Sequence, residues 1–171
     1  MKAHTSTTQS TSGDTRMFLC IRFAAMPVIV VGADTEPGLA IIEALIDPGR
    51  EVRAFVTDPR VVVDLKRQGV KVALGDVSDD SHIEVAALHC FTAVLVTEAA
   101  RDDRERSFAN SEPEVLEAWG RAVVSAGIHR VIWVHHGTLP TIDVAEVASV
   151  APDSPDLASR VAGLDAARVI N

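Results

Sequence analysis

Tyrosine is missing altogether from the 171 residues, and aromatic residues of every kind make up only 4%. The core must therefore be aliphatic, and apolar residues do reach 47%, chiefly Val, Ala, Leu and Ile. That balance suits an α/β protein, and the length is enough for one domain with a proper core. Cysteine is nearly absent. Cys20 and Cys90 stand alone, with neither metal-ligand spacing nor a disulfide framework. A reducing cytoplasmic location is expected, and no metal site. No apolar run approaches the roughly 18 residues that a membrane span needs, so no membrane partner is expected. Positive charge is also scarce: 16 Lys and Arg against 24 Asp and Glu give a net charge of −8. Such a surface is a poor match for a phosphate backbone, so nucleic acid is not an expected partner.

The deficit is sharper past the start of the chain. Only Asp14, Lys2, Arg16 and Arg22 precede Met26, which leaves −10 on residues 26–171. Residues 2–15 are rich in Thr and Ser and poor in apolar groups, which predicts disorder. Residues 17–25 are apolar but broken by Arg22, a poor signal-peptide core. Residues 1–25 are read as a disordered extension, and 26–171 as the folded domain.

What is present is a strand, a glycine turn and a helix in close succession. The stretch P-V-I-V-V-G-A-D-T-E-P-G covers residues 27–38. Its four aliphatics, Val28 to Val31, read as a buried strand of a parallel sheet. Gly32, Ala33 and a turn lead into an apolar helical run at 39–46. This is the opening of a βαβ unit able to hold a dinucleotide, with the helix N-terminus aimed at the pyrophosphate. Gly32 and Gly38 match the outer glycines of G-x-x-G-x-x-G, while Thr35 replaces the middle one. Asp34 and Glu36 are expected where phosphates would lie, and would repel them. The other reading is a plain corner, with Thr35 as N-cap and Pro37 in the first turn.

The rest of the chain alternates in the same way. Strands are expected at 51–56, 70–74, 93–96 and 131–134, with helices at 61–68, 83–88, 111–126 and 157–169. Residues 98–110, mostly charged and small, read as a solvated loop or helix edge, and the chain is loop-like from Pro140. Strands alternating with helices predict a parallel sheet covered on both faces, a three-layer, doubly wound Rossmann-type fold. Asp58 lies twenty residues past Gly38, where an acid can bond a ribose hydroxyl, and Arg60 could meet a 2′-phosphate instead. Both also fit a helix start capped by Asp58.

Several patterns coincide: V-V-G-A followed by Gly38, E-V-R-A-F-V-T-D-P, G-V-K-V-A-L-G-D-V and A-G-I-H-R-V-I-W-V. Together they resemble the NAD(P)-binding domain of atypical short-chain dehydrogenases of the NmrA-like group. The resemblance implies about five strands in the order 3-2-1-4-5, and NAD or NADP as cofactor. It places Gly32 and Gly38 at the pyrophosphate, Asp76 and Val77 beside the adenine, and Thr97 near the ribose and nicotinamide. Catalytic members deliver a proton with a Tyr and a Lys four residues apart. This chain has no tyrosine and its last lysine is Lys71, so that mechanism is excluded. The chain is also expected to stop before the sixth strand and substrate-binding portion of such proteins, leaving apolar surface that a homodimer could cover.

His135 and His136 stand where the fifth strand of the group commonly ends in serines. One of them could act as a general acid near neutral pH. The alternative is two polar residues ending a strand. Successive strand residues face opposite ways, so at most one can enter a cleft. The leading functional reading is an NAD(P)-binding protein with weak oxidoreductase activity; the other is a noncatalytic dinucleotide sensor or interaction module.

Overall fold

The computed structural model describes residues 26–170; the expected disordered extension lies outside the described residues. Strand β1, Val28–Val31, is fully buried along its length, as four consecutive β-branched residues require. Helix α1, Glu36–Leu45, follows, then β2, Val52–Val56. A 3₁₀ turn at Pro59–Val61 leads into α2, Val62–Arg67, and β3, Lys71–Leu74. Next come α3, Asp80–Ala87, capped by Asp79, then β4, Thr92–Val96, and the single turn α4, Glu98–Arg101. The second half holds α5, Glu112–Ser125, β5, Arg130–Val134, β6, Glu146–Val150, and α6, Leu157–Ala166.

All strand pairs are parallel, and the sheet order is β3-β2-β1-β4-β5-β6. The expected 3-2-1-4-5 order is therefore present, with one strand more. That strand, β6, overturns the reading of a loop from Pro140 and of a chain stopping before a sixth strand. Its sequence E-V-A-S-V does not alternate in polarity, but its exposure does alternate, with Val147 and Ser149 turned outward and Val150 buried. Such a half-exposed pattern is what an edge strand shows.

Alternation along the strands splits the core into two layers. Ile29, Val31, Phe55, Leu95 and Trp133 face α3 and α5, where Ile83, Val115 and Trp119 meet them. Val28, Val30, Ala54, Val94 and Ile132 face the other side, against Ile41, Ile42 and Leu45 of α1 and Val161 of α6. Cys90 lies in the first layer, and burial pushes its thiol up to about 11, which makes it an inert apolar residue. No helix among the described residues is long and apolar enough to cross a membrane.

Charge is buried at the amino end of the sheet. Arg130 of β5, wholly buried, pairs with Glu146 of β6 and donates to the carbonyls of Leu164 and Asp165 at 2.8 and 2.6 Å. Asp165 pairs in turn with Arg50, whose Nε bonds the Met26 carbonyl. These bonds tie β6 and α6 to the start of β1. They also leave the carboxyl edge of the sheet as the edge where ligands of this architecture bind.

Candidate functional site

The turn after β1 is built on close approach. Gly32 has φ +78°, and a Cβ there would come within 2.8 Å of the Val96 carbonyl and the Ala99 Cβ. A Cβ on Gly38 would lie 2.3 Å from the Gly32 carbonyl oxygen. Thr35 is the N-cap: its hydroxyl donates to the Gly32 carbonyl and accepts from the Gly38 N–H. Pro37 has no N–H to give. Helix α1 thus begins at Glu36, before the apolar run, and few of its first-turn amides remain for an anion.

The two acids of this turn do not both point at a phosphate position. Asp34 turns toward β2, where its carboxylate accepts the N–H groups of Thr57 and Asp58, both at 2.8 Å. Its side chain is only 1% exposed, and the Arg104 guanidinium pairs with it at 3.0 Å. Asp34 is therefore a structural bolt between two loops, because two amides and a cation offset the cost of burying its charge. Glu36 is exposed.

At the end of β2 the capping arrangement is the one adopted. Asp58 accepts from the Arg60 N–H and forks onto its guanidinium, which holds the carboxyl below its ordinary value. Both residues nevertheless border an open cleft with Asp34, Thr57 and Arg104. The Thr57 hydroxyl there is buried and has no partner.

After β3, Asp76 accepts the N–H and hydroxyl of Ser78 and the N–H of Ser107. Burial pushes its carboxyl up, but these donors outweigh burial and keep it below its ordinary value. Val77 is fully buried, and its carbonyl accepts the Trp119 indole N–H at 2.6 Å.

Thr97 follows β4 and His135 follows β5. Thr97 Oγ1 donates to the Val134 carbonyl at 3.0 Å and touches His135 Nδ1 at 2.9 Å. The other ring nitrogen, Nε2, is buried without a hydrogen-bond partner. Burial first, and then the charge of Arg101, lower the His135 pKa, so the ring is neutral. His136 points elsewhere and meets Asp153 at 3.3 Å. The two histidines border one cleft of about 370 Å³ with Arg101, Glu112, Thr138 and Leu139.

Residues 98–110 are the expected helical turn and largely exposed loop, but three small residues and one arginine turn inward. Ala99 and Ala100 are fully buried, Ala109 is 9% exposed, and the Arg104 side chain is 15% exposed. Arg104, Ser78, Ser107 and Trp119 join the site from outside the glycine turn. For Ser107 the sequence sign is the S-F-A triplet after a charged run; Arg104, Ser78 and Trp119 carry none.

A family profile described as NAD(P)H-binding matches residues 32–164. The chain belongs to the NAD(P)H-binding family. The resemblance to atypical short-chain dehydrogenases is borne out at that level, as is NAD(P) as the cofactor class. Among solved structures, an NADPH-dependent quinone oxidoreductase from Escherichia coli complexed with NADPH is 20% identical, with a TM-score of 0.51 over 63% of this chain and 36% of that one. A triphenylmethane reductase from Citrobacter sp. complexed with NADP(H) is 18% identical, with a TM-score of 0.53 over 64% of this chain and 37% of that one. At such identities the likeness is one of fold, and this family member spans little more than a third of either neighbour's length. No curated protein matches the sequence.

Proposed function

We propose that the chain binds NAD(P) across the carboxyl edge of β1–β4 and acts as a dinucleotide sensor rather than a hydride-transfer enzyme. The pyrophosphate lies at Gly32, Ala33, Thr35 and Gly38. Asp58 and Arg60 face the adenosine ribose, Asp76 and Val77 the adenine, and Thr97 the nicotinamide side. The observation that carries the noncatalytic reading is the state of the two histidines. His135 Nε2 is sealed from the cleft, and His136 is turned to Asp153. Neither offers a proton to a bound acceptor, and the chain has no tyrosine to replace them.

A weak oxidoreductase is the second reading, favoured by the Thr97–His135 contact, which fixes the imidazole beside the nicotinamide side. Titration with NADH and NADPH, read by nicotinamide fluorescence, tests binding. Turnover is then sought with a quinone and with a triphenylmethane dye, the substrate types for which the two neighbours are named. Binding without turnover selects the sensor. Turnover abolished by His135→Asn selects the enzyme, and absence of binding at millimolar cofactor defeats both.

The same reading extends to assembly. Strand β6 is a sheet edge with Val147 40% exposed, and Val169 beyond α6 is 60% exposed. A second copy covering this face gives a homodimer by light scattering at tens of micromolar; a monomer there counts against it.

A further inference from the structure

The geometry points to residues 102–110 as a strap that lies in the adenosine half of the cleft and that a dinucleotide must displace. The inference rests on the dinucleotide reading above. In a doubly wound sheet, ligands bind outside the carboxyl ends of the strands, and the first βαβ half takes the adenosine, with its ribose near the end of the second strand. The strap touches the ends of three neighbouring strands there. Arg104 bonds Asp34 after β1, and through it the amides after β2. The Ser107 N–H goes to Asp76 after β3, and the Phe108 N–H goes to the Ser78 hydroxyl at 3.0 Å. Groups that a ribose or an adenine would use are thus already engaged by the chain itself.

The strap is held in a way that allows release. Its shape comes from its own polar bonds: Asp102 accepts from the Arg104 N–H and guanidinium, and Arg106 donates to the Asp102 carbonyl. Its apolar anchor is the small Ala109, while Phe108 stays 67% exposed. Apart from the largely buried Arg104–Asp34 pair, its polar contacts lie at a water-accessible cleft and are each worth little net, since water replaces them on opening. Beneath the strap, the unpartnered Thr57 hydroxyl and the Asp34 carboxylate are the groups that opening would offer to a ribose. Arg101, just before the strap, bonds Glu112 and the His136 carbonyl. Strap movement therefore reaches the histidine cleft on the nicotinamide side.

The test uses the full chain and NADH, which has no 2′-phosphate to exploit the arginine. Arg104→Ala removes the latch to Asp34 and should tighten NADH binding about fivefold or more. Ser107→Pro, which removes the N–H donated to Asp76, should act in the same direction and covers the case in which Arg104→Ala folds poorly. In the unmutated chain, saturating NADH should speed tryptic cleavage after Arg104 and Arg106, located by mass spectrometry. Faster cleavage with tighter binding in the variants supports the strap. NADH binding of equal strength in all forms, with cleavage unchanged or slowed, overturns the strap and leaves the dinucleotide reading standing. No binding of NADH by the unmutated chain or by either variant overturns the dinucleotide reading and the strap with it.

Discussion

Arg50 Nη2 lies 2.5 Å from the Asp165 carboxylate, with the two side chains 6% and 1% exposed. Arg50 sits between α1 and β2, and Asp165 in the last turn of α6, so the pair clamps the last helix to the loop before β2 at the amino edge of the sheet. Asp165→Ala leaves a guanidinium buried without its counter-charge. Breaking one side of a buried pair costs about 3–5 kcal/mol. Chemical denaturation should show that loss, and the melting temperature should fall by roughly 10 °C. A change below about 1 kcal/mol would mean that water reaches Arg50 readily.

Gly38→Ala tests the close approach in the glycine turn. The added Cβ would lie 2.3 Å from the Gly32 carbonyl oxygen and 2.8 Å from the Ala33 Cα, both backbone atoms that cannot swing aside. Helix α1 has to move off the turn, at a cost of about 1–3 kcal/mol. Thermal melts should show the destabilisation, and NADH affinity should drop with it.

The acids of the turn should separate by role. Asp34→Asn keeps one oxygen for the amides of Thr57 and Asp58 but loses the charge and the second oxygen that pair with Arg104, so stability should fall by about 1–3 kcal/mol. Glu36→Gln alters an exposed side chain, and its effect should stay within about 0.5 kcal/mol. Equal effects in urea denaturation would mean that Asp34 is not the bolt described.

His135 sets a pH dependence. Its folded pKa is lowered from an ordinary value of 6.5, first by burial and then by Arg101. The unfolded chain then binds the proton more readily than the native one, so stability rises with pH across the window between the folded value and 6.5. The contribution of His135 is complete above that window and is lost as pH falls through it. His135→Asn should flatten the melting temperature between about pH 7.5 and 5.5 relative to the unmutated chain. An unchanged slope would place the proton uptake on another group.

Much of the fold was legible because its causes are local. Four β-branched residues ending at a glycine announce β1, Thr35 and Asp79 cap the helices that follow them, and Gly69 and Gly127 take positive φ just past helix ends. Strand β6 was not legible, because a half-exposed strand of polar and apolar residues between prolines lacks the long apolar run of a buried one. What places it is pairing with β5 and the Arg130–Glu146 bond. The role of Asp34 was hidden for a related reason. Its position suggested a phosphate clash, but its partner Arg104 lies 70 residues away, in a run whose charges read as solvated. Candidate residues on the glycine turn could be named from spacing, whereas those supplied by the 102–110 segment depend on where that segment comes to rest.

Because β1 sits between β2 and β4, the earliest of the described strands keeps one flank unmade until late in synthesis. Strands β2 and β3 can build outward from it on one side as they emerge. The other side of β1 shows its backbone amides and carbonyls, beside some of the most apolar side chains of the protein, until β4 has been synthesised. A nascent chain halted between β3 and β4 is therefore an open sheet edge, the form of this protein with the strongest tendency to pair with another chain.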